Sequence, residues 1–221
     1  MQDDEVIIDA LVARADMHFS SLHMTRAAAC YRKVLSVRPR DAHALHRMGL
    51  VCVHLNDLEQ ARAYIDRSLE VAPHRADWWE HAGLLAALNH QYASAESCYL
   101  HAIGLAGYSA SLHRNLADCL RRSGRPGEAI VHYEKSLHME PESAHVSRAL
   151  ARINTELGDV DKAVDYWMRT WLLQPAASKE DLDSIVAITI SVTSRCSTKR
   201  SVKLEPAFAT IRQPSKPWCT C

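Results

Sequence analysis

Apolar residues recur at three- and four-residue spacing in two consecutive runs, broken by a short polar stretch, and then the whole scheme begins again. That spacing places the apolar side chains on one stripe of a helix, so each cycle predicts two amphipathic helices joined by a tight turn. Residues 42–75 form the clearest cycle: Leu45, Met48, Gly49 and Cys52 mark one stripe, Ala61, Ile65 and Leu69 the other, and Pro73 closes it. The break carries Asn56, and later breaks carry Gly124 and Gly158, residues that accept the left-handed backbone on which helices commonly end.

The cycle has a fixed length of 34 residues. Pro39, Pro73, Pro141 and Pro175 share one lattice, with Gly107 in the remaining slot. Twelve residues before each stands an alanine (Ala27, Ala61, Ala95, Ala129, Ala163), followed four residues later by a bulky side chain: Tyr31, Ile65, Tyr99, Tyr133 or Trp167. The eighth position is always small: Ala15, Gly49, Gly83, Ala117, Ala151. Small residues at the eighth and twentieth positions allow the two helices of a cycle to cross closely. No single cycle can bury its apolar face alone, so stability must come from stacking neighbours.

These positions resemble the signature of the tetratricopeptide repeat, and the chain is identified on them as a member of that family. The resemblance implies an all-α fold, a right-handed α-solenoid of five helical hairpins at 8–41, 42–75, 76–109, 110–143 and 144–177. Some positions depart from the signature. Repeat 1 has Leu22 and His23 at its turn and His18 at an aromatic position, which marks a weak terminal unit. Repeat 4 has His113 where tryptophan or leucine is common, and Pro126 at a site tolerable as the first position of a helix. Gly107 predicts a looser joint after repeat 3. Beyond Pro175, the capping-box-like Ser178 to Asp181 and the stripe Leu182, Ile185, Val186 predict a capping helix at about 178–190. Continuing the lattice puts Ser197 and Ser201 in signature slots, so no sixth repeat follows; residues 192–221 are polar, basic and aperiodic and read as a disordered tail.

Composition agrees with this reading. Only 7 glycines and 8 prolines among 221 residues favour long helices over a turn-rich sheet protein. Formal net charge is zero, but a mildly acidic body is balanced by Arg195, Lys199, Arg200, Lys203, Arg212 and Lys216, set against Glu205 alone. That balance does not make nucleic acid the expected partner. Seven scattered cysteines without a CxxC pair suit a reducing compartment, the N-terminus lacks a signal-peptide layout, and the uncharged, apolar-leaning run 184–193 is too short to span a bilayer. The expected location is cytoplasmic.

The sequence contains no GxGxxG, GxxxxGK[ST], HExxH or GxSxG motif, so neither an enzyme activity nor a cofactor is expected. In the resembling family the first helix of each repeat lines a concave face, with its second, fifth, sixth, ninth, twelfth and thirteenth positions pointing inward. Carried onto this chain, that rule selects His43, His46, Arg47 and His54 in repeat 2, and Glu80 and His81 in repeat 3. It selects Arg114, Asn115, Asp118, Arg121 and Arg122 in repeat 4, and His145, Arg148 and Arg152 in repeat 5. The groove is expected to run from an acidic start (Asp9, Asp16) through histidines to arginines. Arginine grips carboxylates with paired hydrogen bonds, so the expected partner is another protein, offering an extended, acidic segment. The bland alternative is a solvated face in which Asp118 and Glu156 simply neutralise the arginines.

Two specialised patterns do not fit. The chaperone-binding carboxylate clamp would need Lys and Asn where Val12 and Asp16 stand. The asparagine ladder of the O-linked N-acetylglucosamine transferase array finds only Asn115 in its slot, beside Ala13, Arg47, His81 and Ala149. The thirteen histidines lack a companion carboxylate or thiol spaced for a metal site. They raise instead a pH expectation: protonated His43, His46, His54, His81 and His145 would strengthen binding of an acidic peptide near pH 6. Two further readings stay open: the recruiting front of a glycosyltransferase- or methyltransferase-type enzyme, and a secretion chaperone.

Overall fold

The computed structural model describes residues 2–174, together with Asp183 and Val186. Apart from those two, the expected capping helix and basic tail lie outside the described residues. The described part consists of five antiparallel helical hairpins in chain order: α1 (Gln2–Ser20) with α2 (Met24–Val37), α3 (Ala42–His54) with α4 (Leu58–Val71), α5 (Ala76–Leu88) with α6 (Tyr92–Ala106), α7 (Ala110–Arg122) with α8 (Pro126–Met139), and α9 (Ala144–Leu157) with α10 (Val160–Leu173). Each hairpin packs on the next, giving an all-α solenoid.

One turn closes all five hairpins. Its central residue has positive φ: Leu22 (58°), Asn56 (60°), His90 (58°), Gly124 (82°) and Gly158 (77°). The following amide donates back five residues, as in His23 N to His18 O at 2.8 Å and Arg125 N to Leu120 O at 2.9 Å. That is the six-to-one bond of a Schellman ending. Repeat 1 therefore makes the same turn without the usual residue, and α1 begins at Gln2 rather than at residue 8, because nothing ahead of the register breaks a helix. Asp57 and Asp159 cap the helices that follow their turns, accepting from Gln60 N (3.1 Å) and Lys162 N (3.4 Å).

The joint after repeat 3 differs for a definite reason. In the other repeats the second helix ends two residues short of the lattice proline, whereas α6 runs to Ala106, adjacent to Gly107. Gly107 has the amide that proline lacks, and it donates to Ile103 O at 2.9 Å. Pro126 stands in the first turn of α8, where its missing amide costs no intrahelical bond.

The core lies between the two helices of each hairpin and falls into three buried clusters along the array. The bulky signature residues Tyr31, Ile65, Tyr99, Tyr133 and Trp167 are all buried, each beside the small residue of its own repeat. A Cβ added to Gly83 would lie 2.7 Å from the Tyr99 ring, and one added to Gly49 would lie 2.6 Å from Ile65 Cγ1. The small eighth residue is thus the floor on which the bulky residue rests.

Candidate functional site

The first helices of successive repeats touch through three kinds of rung, one of which occurs at two joints and the other two between repeats 1 and 2. In one rung the fifth position of a repeat meets the sixth of the next. His46 Nε2 lies 3.1 Å from His81 Nδ1, and Asn115 Nδ2 donates to Glu80 Oε1 at 2.7 Å. In another, the ninth position meets the second: His43 Nε2 lies 3.1 Å from Asp16 Oδ1. In the third, the twelfth meets the thirteenth: His54 sits edge-on to Phe19 with 5.9 Å between ring centres. The 34-residue repeat stacks like positions side by side; a one-residue offset gives the fifth–sixth and twelfth–thirteenth contacts, and a contact reaching seven positions back, two helical turns, gives the ninth–second one.

Several of the expected groove residues are accordingly structural. His46 is only 4% exposed and lies flat against Trp78, with ring centres 4.6 Å apart. Burial pushes its imidazole down to about pKa 3, and burial also lowers His81. This corrects the pH expectation at these two positions. Desolvation keeps the His46 ring neutral near pH 6 and works against protonation of His81, so His46 adds no positive charge to the groove. Glu80 and Asn115 are engaged with one another. His43, Arg47, His54, Arg114 and Arg148 remain at least partly accessible, as do Arg121, Arg122, His145 and Arg152.

The acidic start of the groove is largely neutralised from within. Asp9 accepts from Arg38 at 2.8 Å. Asp16 accepts from Tyr31 Oη at 2.6 Å and faces Arg47 Nε at 3.6 Å, and that guanidinium also lies 4.9 Å above the Phe19 ring. At the far end Asp118 accepts from Tyr133 Oη at 2.5 Å, leaving Arg121 4.0 Å away. Burial and the proximity of these carboxylates raise both phenols well above their ordinary pKa. Arg148 donates to Gln174 Oε1 at 3.0 Å.

The structure adds residues that a search for polar chemistry passes over. Leu50, Val53, Leu84 and Leu88 occupy the ninth, twelfth or thirteenth positions of repeats 2 and 3, and Leu84 and Leu88 are each 46% exposed. The register that selected the polar residues contains these positions too, so the signal was in the sequence. Among the described residues no three His, Cys, Asp or Glu side chains cluster as a metal site, and no helix is long and apolar enough to cross a membrane.

Tetratricopeptide-repeat family profiles match residues 12–76 and 120–175. The chain belongs to the tetratricopeptide-repeat family. It is 26% identical over 156 residues to cellulose synthase 1 operon protein C of Komagataeibacter xylinus, covering 65% of this chain and 12% of that protein. It is 21% identical over 196 residues to the tetratricopeptide repeat-containing protein trd-1 of Caenorhabditis elegans, covering 86% of this chain and 25% of that one. The chain thus spans a quarter or less of the length of these curated relatives. Among solved structures, MamA superposes with a TM-score of 0.70 at 18% identity, over 73% of this chain and 95% of MamA. YrrB, a tetratricopeptide-repeat protein with an unusual peptide-binding site, does so at 0.67 and 19%, over 75% and 85%. The pilus biogenesis factor PilW does so at 0.70 and 15%, over 86% and 94%. At such identities the likeness is one of fold, and the fold is one typical of protein–protein interaction scaffolds.

Proposed function

We propose that this array is a non-enzymatic adaptor that holds an extended, acidic segment of another protein in the face formed by its first helices. The observation that carries this is the arginine-rich far end, where Arg121 and Arg122 follow one another on α7 and Arg152 stands on α9. Asp118 takes the Tyr133 hydroxyl and stands 4.0 Å from Arg121, and Glu156 also acts on that guanidinium. Arg121 and Arg122 both stay exposed, so an incoming carboxylate can add charge-assisted hydrogen bonds to them. YrrB, built on the same scaffold, has a peptide-binding site, which makes a peptide a natural ligand class here.

Anisotropy titration of a fluorescein-labelled glutamate-rich peptide tests the reading. The Arg121→Glu/Arg122→Glu variant is expected to lose at least about tenfold in affinity, the size of one or two charge-assisted contacts. An unchanged affinity in the charge-reversed protein, with an unchanged thermal melt, sinks it. A second reading, a recruiting module within a larger assembly or enzyme, draws on the much greater length of the curated relatives, of which the chain matches 12% and 25%.

A further inference from the structure

The rungs between repeats consume much of the groove's polar chemistry, and what they leave accessible changes character along the array. At the ninth, twelfth and thirteenth positions repeat 1 has Asp16 and Phe19, both already engaged with repeat 2, while repeat 4 presents Asp118, Arg121 and Arg122, and repeat 5 presents Arg152 and Glu156. Between these polar ends, repeats 2 and 3 present Leu50, Val53, Leu84 and Leu88. Leu84 and Leu88 stand on successive turns of α5, each 46% exposed, and neither belongs to a core cluster. Val53 of α3 holds the same register position as Phe19, and Leu88 the same position as His54, the two positions that meet between repeats 1 and 2.

The fold does not require these leucines. Their equivalents, Asp118 and Arg122 in repeat 4 and Arg152 and Glu156 in repeat 5, are charged, and those repeats keep the same helices and the same buried signature residues. Large apolar side chains at half-exposed positions where the repeat accepts charge therefore point to a ligand. Guanidinium groups stand on the two sides: Arg47 of repeat 2, over the Phe19 ring of repeat 1, and Arg121 with Arg122 of repeat 4.

We infer that this apolar saddle is the specificity subsite of the groove. It seats one bulky apolar side chain of an extended segment whose carboxylates reach Arg121 and Arg122. The inference rests on the acidic-ligand reading above and adds the residue that such a ligand must carry at its centre. Neighbouring first helices lie roughly 10 Å apart, and an extended chain advances about 3.3 Å per residue. The carboxylates therefore belong about three residues from the apolar one.

The test uses 11-residue fluorescein-labelled peptides on a glycine–serine background, with leucine or serine at the centre and glutamates at varied offsets. They are titrated into the full chain, into a Leu84→Gln/Leu88→Gln variant and into an Arg121→Glu/Arg122→Glu variant, each first shown by circular dichroism to melt like wild type. Wild type is expected to prefer leucine over serine by at least about tenfold, best with glutamates about three residues away, from the area a leucine buries. The Leu84→Gln/Leu88→Gln variant is expected to lose that preference and keep its response to glutamates. Equal binding of the leucine and serine peptides, with both weakened by the arginine reversal, overturns the apolar subsite and leaves the acidic-ligand reading standing. A leucine preference that survives Leu84→Gln/Leu88→Gln also overturns the subsite. Leucine-dependent binding indifferent to glutamates and to the arginine reversal defeats the acidic-ligand reading instead. Absence of binding by every peptide overturns both.

Discussion

The phenol of Tyr133 donates to the Asp118 carboxylate across 2.5 Å, tying the second helix of repeat 4 to its first. Tyr31 makes the same bond to Asp16 at 2.6 Å in repeat 1, over the same fifteen-residue separation. In repeat 3 the ninth position is Leu84, which offers Tyr99 no acceptor, and the tyrosine ring lies against Gly83 instead. The identity of one half-exposed residue thus decides how the buried tyrosine of its repeat is held.

Removing the acceptor should cost more than removing the donor. Asp118→Ala leaves the buried Tyr133 hydroxyl unsatisfied and is expected to destabilise the array by about 1–3 kcal/mol, whereas Tyr133→Phe should cost about 1 kcal/mol. Urea denaturation of the two single variants and the double variant measures the coupling. Strict additivity would show that the bond contributes nothing.

Gly83→Ala puts a methyl group 2.7–2.8 Å from the Tyr99 ring, which is buried and has no room to retreat. Overpacking of that kind costs about 1–3 kcal/mol. Thermal melts should show a clear drop for Gly83→Ala and none for Gly104→Ala, whose added Cβ meets nothing within 4 Å.

Leu22 holds φ at 58°, where a side chain with a Cβ is disfavoured. Leu22 is also 73% exposed, so replacing it removes little packing. Leu22→Asn, which supplies the residue already used at Asn56, should raise stability by about 1 kcal/mol. An increased urea midpoint with an unchanged m-value is the expected signature.

The His46–His81 contact makes the joint between repeats 2 and 3 acid-sensitive. His46 has its pKa pushed down to about 3 by burial, so the folded state holds fewer protons than the unfolded chain. Stability from His46 is therefore complete above the unfolded value near pH 6.5 and is lost as pH falls toward 3, by up to about 1.4 kcal/mol per pH unit. His113 and His132, 3.0 Å apart with both pKa values lowered by burial, act in the same direction. Stability measured from pH 7 to pH 4 should fall less steeply in His46→Gln than in wild type. Parallel curves would contradict the assignment.

The helices, their pairing and the five turns were legible in the sequence because they follow from local spacing: a 3.6-residue stripe, a small residue opposite a bulky one, and a turn at a fixed place in each cycle. Even the departure at Gly107 was visible, although the sequence did not say that α6 would run further because glycine keeps its amide. The family resemblance, read through the repeat register, also assigned His46, His81, Glu80 and Asn115 to the inward face of the first helices. Whether such a side chain is offered to a ligand or spent on a neighbour is another matter. It depends on what stands one repeat and one residue away, and on side-chain burial that no single stretch of sequence contains. Only the stacked structure turns His46 inward onto Trp78, pairs Glu80 with Asn115, and leaves Leu84 and Leu88 half-exposed. The sequence by itself determined the repeating frame, since its forces act within about one helical turn. The tertiary structure decided which groove residues remain available, since desolvation and pairing are set across the joints between repeats.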